Sequence, residues 1–447
     1  LGSAAHWVAR CPDARQARGL ASGAVGAALG VLAVVSLVLH GSVDGSEVLL
    51  WGRRVQLAGR GWEASAPTVD LLVAALAVGL APVASHGPRT LAAILRLIAL
   101  ALAFLGMSEP LGLAALWGLQ FVVAAGELRR LDEAHGGSAA KPFVRYQAPA
   151  LGLVVLGTLA LLFGFRSLGV TAWLMAIAVR EAVIPFHGWL PTLIARAPLG
   201  LVIALVAPQP GVYAHLAVFG DMTGGALAHG FAAVGAFTGV LGAALGVVQN
   251  DARRAAGWLI VSQTGLIAFG LANESQVGRL GAVLSWQVMA LAMSGYTMTI
   301  AALEARRGTL SLRVPGGSFA RTPRMAVAFL LLGFSSVALP LTLGFVAEDL
   351  LVQGSVAEFP HVGFAVILAT GLNGINVVRC FFVLFSGTER HTGEVDLTRR
   401  EVWALSLVLG ALLLGGVFPR LFVAGGPSPP GTAVHGHPGS PSEVTDR

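Results

Sequence analysis

The sequence predicts an all-α polytopic membrane protein with about 13 transmembrane helices. Three observations predict it. The 447 residues are 55% hydrophobic and only 12% charged, with mean hydropathy +0.76, against roughly 25% charged in an ordinary soluble domain. The apolar residues fall in runs of about 20, the length that crosses a bilayer. Short arginine-bearing segments separate those runs. The pI near 10.3 therefore reflects membrane topology and not a nucleic-acid partner. The 58 glycines fit helices that approach closely, because small residues bring backbones together.

In chain order the spans read as 19–39, 67–85, 89–106, 111–128, 149–168, 172–193, 199–219, 229–248, 257–272, 281–302, 325–353, 362–385 and 402–423. Residues 1–18 form an N-terminal segment, and 19–85 hold peripheral helices with a long polar connector at 41–66. The sixth span is interrupted at Pro185, with Pro191 following, and the eleventh at Pro340. The tail at 424–447 is rich in Pro, Gly and Ser and is expected to be mobile. Charge tests the count. Of 29 Lys and Arg, three (Arg96, Arg180, Arg379) lie in span interiors; with Arg89, Arg166 and Arg420 at span edges counted by the side they border, nineteen lie on the N-terminal side of the membrane and seven on the other. Positive charge stays cytoplasmic, so Leu1 is expected in the cytoplasm, in keeping with a bacterial inner membrane. Cys11 and Cys380 have no metal-ligand spacing and predict no structural disulfide. No signal peptide is visible, and the chain begins at Leu1 and not at Met.

Arg180 and the broken segment Ile184-Pro185-Phe186-His187-Gly188-Trp189-Leu190-Pro191 carry the strongest functional signal. A charge at bilayer depth needs a partner or a wet cavity, and a broken helix frees backbone groups that protein or water must satisfy. Arg180 and Glu181 point about 100° apart on a helix and do not face each other, though they can share a polar cavity. The other reading of Arg180 is a bridge to carbonyls freed at the break. Arginine keeps its proton and so tunes neighbours without carrying protons itself. His187 is either a proton relay or a histidine bonded to loose backbone at the kink. Glu348 and Asp349 follow the second break. Two carboxylates so close suit proton binding; the alternative is a solvated helix end. Asn373, Asn376 and Arg379 read as glue between helices, and Asp251 with Arg253 as a capped cytoplasmic turn. Trp286, Met289 and Met293 read as packing. There is no phosphate loop, haem or metal ligand set, or nucleophile elbow, so no cofactor is expected and any redox chemistry belongs to partner subunits.

These residues resemble the antiporter-like membrane subunits of respiratory complex I (NADH-quinone oxidoreductase), a family shared with Mrp-type sodium/proton antiporters and membrane-bound hydrogenases. Arg180 through Pro198 is similar to the family's lysine, Pro-Phe-His, Trp-x-Pro and Ala-Pro pattern. Gln249-Asn250-Asp251-Ala252-Arg253-Arg254 with Ser262-Gln263-Thr264-Gly265 is similar to its Gln-x-Asp-x-Lys-Arg turn and Ser-Gln-x-Gly. Gly344-Phe345-Val346-Ala347-Glu348-Asp349 is the third match. The resemblance implies an inverted repeat of two five-helix bundles, at 89–219 and 229–385, each with one broken helix, followed by a last helix at 402–423. It also implies fourteen helices with the N-terminus outside, so thirteen with a cytoplasmic start fit loss of the first.

The departures are specific. The family lysine matches Arg180, and its paired glutamate falls on Gly118. The charge of the next helix finds only Pro208, Gln209 and Pro210, and a later lysine falls near Met293. Glu348 alone matches a family charge position. The expectation is an ion-translocating, proton-moving subunit with other membrane subunits and the lipid bilayer as partners. In it Glu348, Asp349 and His187 handle protons and Arg180 with Glu181 sets the local field. The alternatives are a non-conducting scaffold subunit and the membrane partner of an inorganic-carbon uptake system.

Overall fold

The chain folds as a bundle of apolar helices, seen in a computed structural model that describes residues 1–40, 47–50, 53–56, 62–82, 84–219, 225–358, 360–387, 395–419 and 422. In order the helices are α1 (Gly2–Ala9), α2 (Ala14–His40), α3 (Trp62–Gly79), α4 (Pro88–Leu105), α5 (Pro110–His135), α6 (Ala140–Leu162), α7 (Arg166–Arg180), α8 (Trp189–Arg196), α9 (Leu199–Val206), α10 (Pro210–Phe219), α11 (Ala226–Val247), α12 (Ala252–Leu271), α13 (Gln276–Val288), α14 (Ser294–Arg307), α15 (Pro323–Ser335), α16 (Leu343–Glu358), α17 (Pro360–Phe385) and α18 (Arg399–Val417). Proline opens α4, α5 and α15, where its missing N–H costs nothing and its fixed φ suits the first turn. The side chains of Asp251 and Ser275 cap α12 and α13, and Thr398 with Glu401 forms a capping box on α18.

Among the described residues, nine helical stretches are long and apolar enough to cross a membrane. Two shorter apolar helices, Ser65–Gly79 and Pro323–Ser335, join them. The protein is an integral membrane protein. The breaks at Pro185 and Pro340 are present, each in the fourth of the five spans of its group.

Four features depart from the expectation. The connector at 41–66 contains an antiparallel pair of strands, β1 (Glu47–Leu50) and β2 (Arg53–Gln56). The first span begins at Ala14, and the fifth begins at Ala140 and runs through Pro149; basic residues such as Arg15, Lys141 and Arg145 let the helices extend beyond the apolar run. The seventh span is broken into α9 and α10 at 207–209, where Pro208 and Pro210 bracket Gln209 in a left-handed conformation (φ 41°). A hydropathy window averages over that break, whereas each proline restricts the residue before it. Finally, the tenth span contains a π-helical turn, Met289–Met293, between α13 and α14. The tail expected at 424–447 lies outside the described residues.

Packing is close where glycines of two helices meet. A Cβ on Gly265 of α12 would sit 2.5 Å from the backbone nitrogen of Gly239 in α11, so these helices touch backbone to backbone. At one end of the bundle arginines tie helix ends together. Arg253 chelates Glu304 through Nε at 2.8 Å to both oxygens and donates to the Ala197 carbonyl at 2.9 Å. Arg306 donates to Glu401 at 2.6 Å.

The turn before α4 buries His86, 1% exposed. Its Nε2 accepts the Gly200 N–H at 3.1 Å, while Nδ1 lies 2.9 Å from Ser85 Oγ and 3.2 Å from the Pro82 carbonyl. An imidazole that accepts at Nε2 must be neutral. Burial pushes its pKa down to about 4 from 6.5, with Arg253 and Arg18 also opposing the charge. A depressed histidine pKa means the unfolded chain binds the extra proton first. Stability from this contact is therefore full above pH about 6.5 and falls as pH drops toward about 4. Unfolding in mixed micelles should show an acid-sensitive loss of about 3 kcal/mol across that window, flattened in His86→Gln. An unchanged pH profile in the variant contradicts this account.

Candidate polar sites at the helix breaks

The first break is built by the end of α7. The helix stops at Arg180, and Ala182 takes a left-handed conformation (φ 55°). A 3-10 turn, Phe186–Gly188, then leads into α8. Protein groups satisfy the loosened backbone. Trp189 Nε1 donates to the Val179 carbonyl at 2.9 Å, and the Ile184 N–H donates to Thr238 Oγ1 at 3.1 Å. Pro185 is exposed on this break, while Pro191 is buried in the first turn of α8.

Arg180 and Glu181 are each 6% exposed and turn to different partners. Arg180 Nη2 donates to Gln120 Oε1 of α5 at 3.2 Å and to the Leu205 carbonyl near the end of α9 at 3.1 Å. Its guanidinium lies 5.9 Å from the Trp117 ring centroid. Glu181 Oε1 accepts the Gly211 N–H at 2.9 Å. That N–H opens α10, where the helix dipole favours an anion. The unexpected break between α9 and α10 thus supplies both the carbonyl end that faces Arg180 and the amide end that faces Glu181. The cleft lined by Arg180, Glu181, Trp189, Leu205, Pro210 and Thr264 is too tight for a water molecule. The cation is held by neutral oxygens and an aromatic face in a closed interior.

The second break spans 336–342, with Ala338 and Leu341 left-handed (φ 61° and 70°) and Pro340 exposed. Gln263 Nε2 of α12 donates to the Ser336 carbonyl at 2.8 Å. Glu348, on the second turn of α16, is half-buried and turned toward Thr370 of α17. Asp349 is exposed and accepts Gln353 Nε2 at 2.7 Å. Adjacent helical positions send the two carboxylates to different environments, so they do not form the close pair that the sequence suggests.

The remaining sequence-predicted residues are placed as follows. His187 is half-buried with its ring 5.1 Å from that of Trp258. Its Nδ1 is buried without a hydrogen-bond partner among the described residues. Asn373 donates to Ser262 Oγ at 2.8 Å and Asn376 to the Ala255 carbonyl at 3.2 Å, which joins α17 to α12. Arg379 has a buried Nη1 with no hydrogen-bond partner among the described residues. Asp251 caps α12 by accepting the Arg254 N–H at 3.0 Å.

The motif Ser262-Gln263-Thr264 on α12 links the breaks: Ser262 donates to the Gly239 carbonyl, Gln263 reaches the second break and Thr264 lines the first. Sequence reasoning overlooked Gln120, and it named Gln209 only as standing where a family charge is lost; the Gln209 Nε2 lies 3.1 Å from Met289 Sδ. It also overlooked Asp70 of α3, 1% exposed, whose Oδ2 has no hydrogen-bond partner among the described residues. The signal for Gln120 and Asp70 was a polar residue inside an apolar run, the criterion that singled out Arg180.

Comparison with known proteins gives a consistent picture. Residues 150–373 match the family described as NADH:quinone oxidoreductase/Mrp antiporter, TM. NADH-quinone oxidoreductase subunit M of Pseudomonas aeruginosa is 29% identical over 263 residues, 55% of this chain and 50% of that protein. NAD(P)H-quinone oxidoreductase chain 4 1 of Thermosynechococcus vestitus is 28% identical over 276 residues, 58% of this chain and 52% of that protein. The chain spans about half the length of the curated relatives it matches. In fold it is similar to a chain of respiratory complex I from Thermus thermophilus with bound NADH (TM-score 0.76, 21% identity, 91% of this chain and 92% of that one). A chain of the Mrp complex from Dietzia sp. is similar too (TM-score 0.78, 16% identity, 95% and 94%).

Proposed function

The chain belongs to the NADH:quinone oxidoreductase/Mrp antiporter transmembrane family, and from that premise we propose that it is a proton-translocating membrane subunit of a complex I-like assembly, with Glu348 as its proton-binding residue. The observation that carries the reading is the contrast between the two breaks. At the first, Arg180 and Glu181 are each committed to fixed partners in a cleft with no room for water. At the second, Glu348 is half-buried beside a hydroxyl. A carboxylate in that setting can take up and release a proton, whereas an arginine keeps its own.

In this reading protons pass through the second group of helices. The first group acts as a closed strut whose Arg180 contributes a fixed positive field, which retains one element of a scaffold. Redox chemistry resides in partner subunits, and this chain's partners are the other membrane subunits of the complex. The arginine-rich end that contains Arg253, Arg306 and Arg400 faces the cytoplasm of a bacterial inner membrane, and Leu1 lies on that side, as the charge split supports.

The experiment is proton uptake into proteoliposomes that contain the whole complex, read with a pH-sensitive dye. Glu348→Gln is nearly isosteric and should reduce uptake to the leak rate of empty vesicles while complex assembly stays intact. Wild-type uptake in an assembled Glu348→Gln complex overturns the assignment.

A further inference from the structure

A second cluster of ligating groups lies away from both breaks. His229 in the first turn of α11, Glu274 in the turn between α12 and α13, and Glu358 at the end of α16 each offer an atom, and these atoms lie within 4.8 Å of one another. The positions are 45 and 84 residues apart in sequence, so only the fold brings them together. By the charge split they occupy the non-cytoplasmic end of the bundle. We propose that His229, Glu274 and Glu358 bind one divalent transition-metal cation of the Zn²⁺ class, which clasps the end of α16 to α11 and the α12–α13 turn.

The donor set is the first argument. One imidazole and two carboxylates suit a borderline cation better than Mg²⁺ or Ca²⁺, which favour all-oxygen shells. Three protein ligands leave a fourth position for water. The second argument is preorganisation. Glu358 Oε2 accepts the Glu274 N–H at 2.7 Å and the Ser275 N–H at 3.2 Å, which holds the carboxylate across the turn that carries Glu274. Its other oxygen, Oε1, is buried with no hydrogen-bond partner among the described residues. A buried carboxylate oxygen without a donor is an unfavourable arrangement that a cation would relieve. This support from backbone N–H groups is the kind of outer contact that fixes ligands in metal sites.

Reach is the third argument. His229 Nε2 is 3.8 Å from Glu274 Oε1, and both side chains are about half exposed (50% and 53%). Tetrahedral zinc with bonds of about 2.0–2.1 Å places its ligand atoms about 3.3 Å apart. Closing from 3.8 Å to that spacing is a shift of about 0.5 Å.

The consequence for function rests on the proton-moving reading given above. The helix α16 carries Glu348 on its second turn and Glu358 at its last residue. A cation at Glu358 would tether the far end of the half-helix that holds the proton-binding carboxylate, and so would slow its movement.

Binding and transport are tested separately. The purified full-length chain, stripped with EDTA, is titrated with Zn²⁺ by calorimetry. Wild type should bind one more Zn²⁺ than His229→Ala/Glu274→Gln, whose changes are solvent-exposed and leave the fold intact by circular dichroism. Single variants should weaken that site about 10–100-fold, and Mg²⁺ in excess should not compete. Equal zinc stoichiometry and affinity in wild type and double variant overturns the site, whatever the transport assay gives. In proteoliposomes of the whole complex, Zn²⁺ on the non-cytoplasmic side should slow proton uptake by wild type and spare the double variant. Zinc binding without that effect removes the tether while leaving the site.

Discussion

Gly354→Val should destabilise the protein by about 3 kcal/mol in an SDS titration from mixed micelles, within the upper range for overpacking a close contact. Gly354 lies on α16, against the first turn of α13. A Cβ there would sit 2.2 Å from the backbone nitrogen of Gly278 and 2.3 Å from its Cα. Backbone atoms cannot rotate away, so the helices must separate. The contact is reciprocal: a Cβ on Gly281 of α13 would meet the Leu351 nitrogen at 2.4 Å. In a bilayer such close approach is a main source of helix association, because lipid competes evenly for apolar side chains. Gly371→Ala on α17 is the control. It meets nothing within 4 Å, and alanine in an open helical position stabilises by about 0.5–1 kcal/mol. Equal stability of Gly354→Val and wild type refutes the packing account. Because α16 bears Glu348, Gly354→Val should also lower proton uptake.

The second large effect is expected at the first break. Arg180→Met should cost about 3–5 kcal/mol, since removing one member of a buried charged group strands the rest. Gln120 Oε1 and the Leu205 carbonyl lose the donor at 3.2 and 3.1 Å, and unsatisfied buried acceptors cost roughly 1–3 kcal/mol each. Glu181 is left as the charge in a dry cleft with the Gly211 N–H. Neutralising it should recover part of the loss, so Arg180→Met/Glu181→Gln should be more stable than the sum of the single changes predicts. Double-mutant cycles isolate this coupling. Strict additivity would mean that the neighbouring charges do not communicate through the cleft.

Much of the membrane architecture was legible in the sequence. Apolar runs of spanning length gave the helices, and Pro185 and Pro340 marked two breaks because proline acts on its own backbone and that of its neighbour. The same logic was available at Pro208 and Pro210, yet the high hydropathy of 199–219 concealed the interruption between α9 and α10. The depth of Arg180 was legible too. Its partners were not, because Gln120 and Leu205 are 60 and 25 residues away. Glu348 and Asp349 looked alike as neighbours in a string, while the helix surface turned one toward Thr370 and the other outward.

By itself the sequence determined that this chain lies in a membrane, where two helices are interrupted, and that Arg180 enters a span. Those properties are local: transfer of apolar residues from water and the stereochemistry of proline depend on a few neighbouring positions. Only the tertiary structure decided that Arg180 rests on neutral oxygens, that Glu181 meets the start of α10, that Gly354 touches Gly278, and that His229, Glu274 and Glu358 converge. Such contacts depend on how all the helices cross and how closely their small residues let them approach, a collective outcome of packing with no signature at any one position.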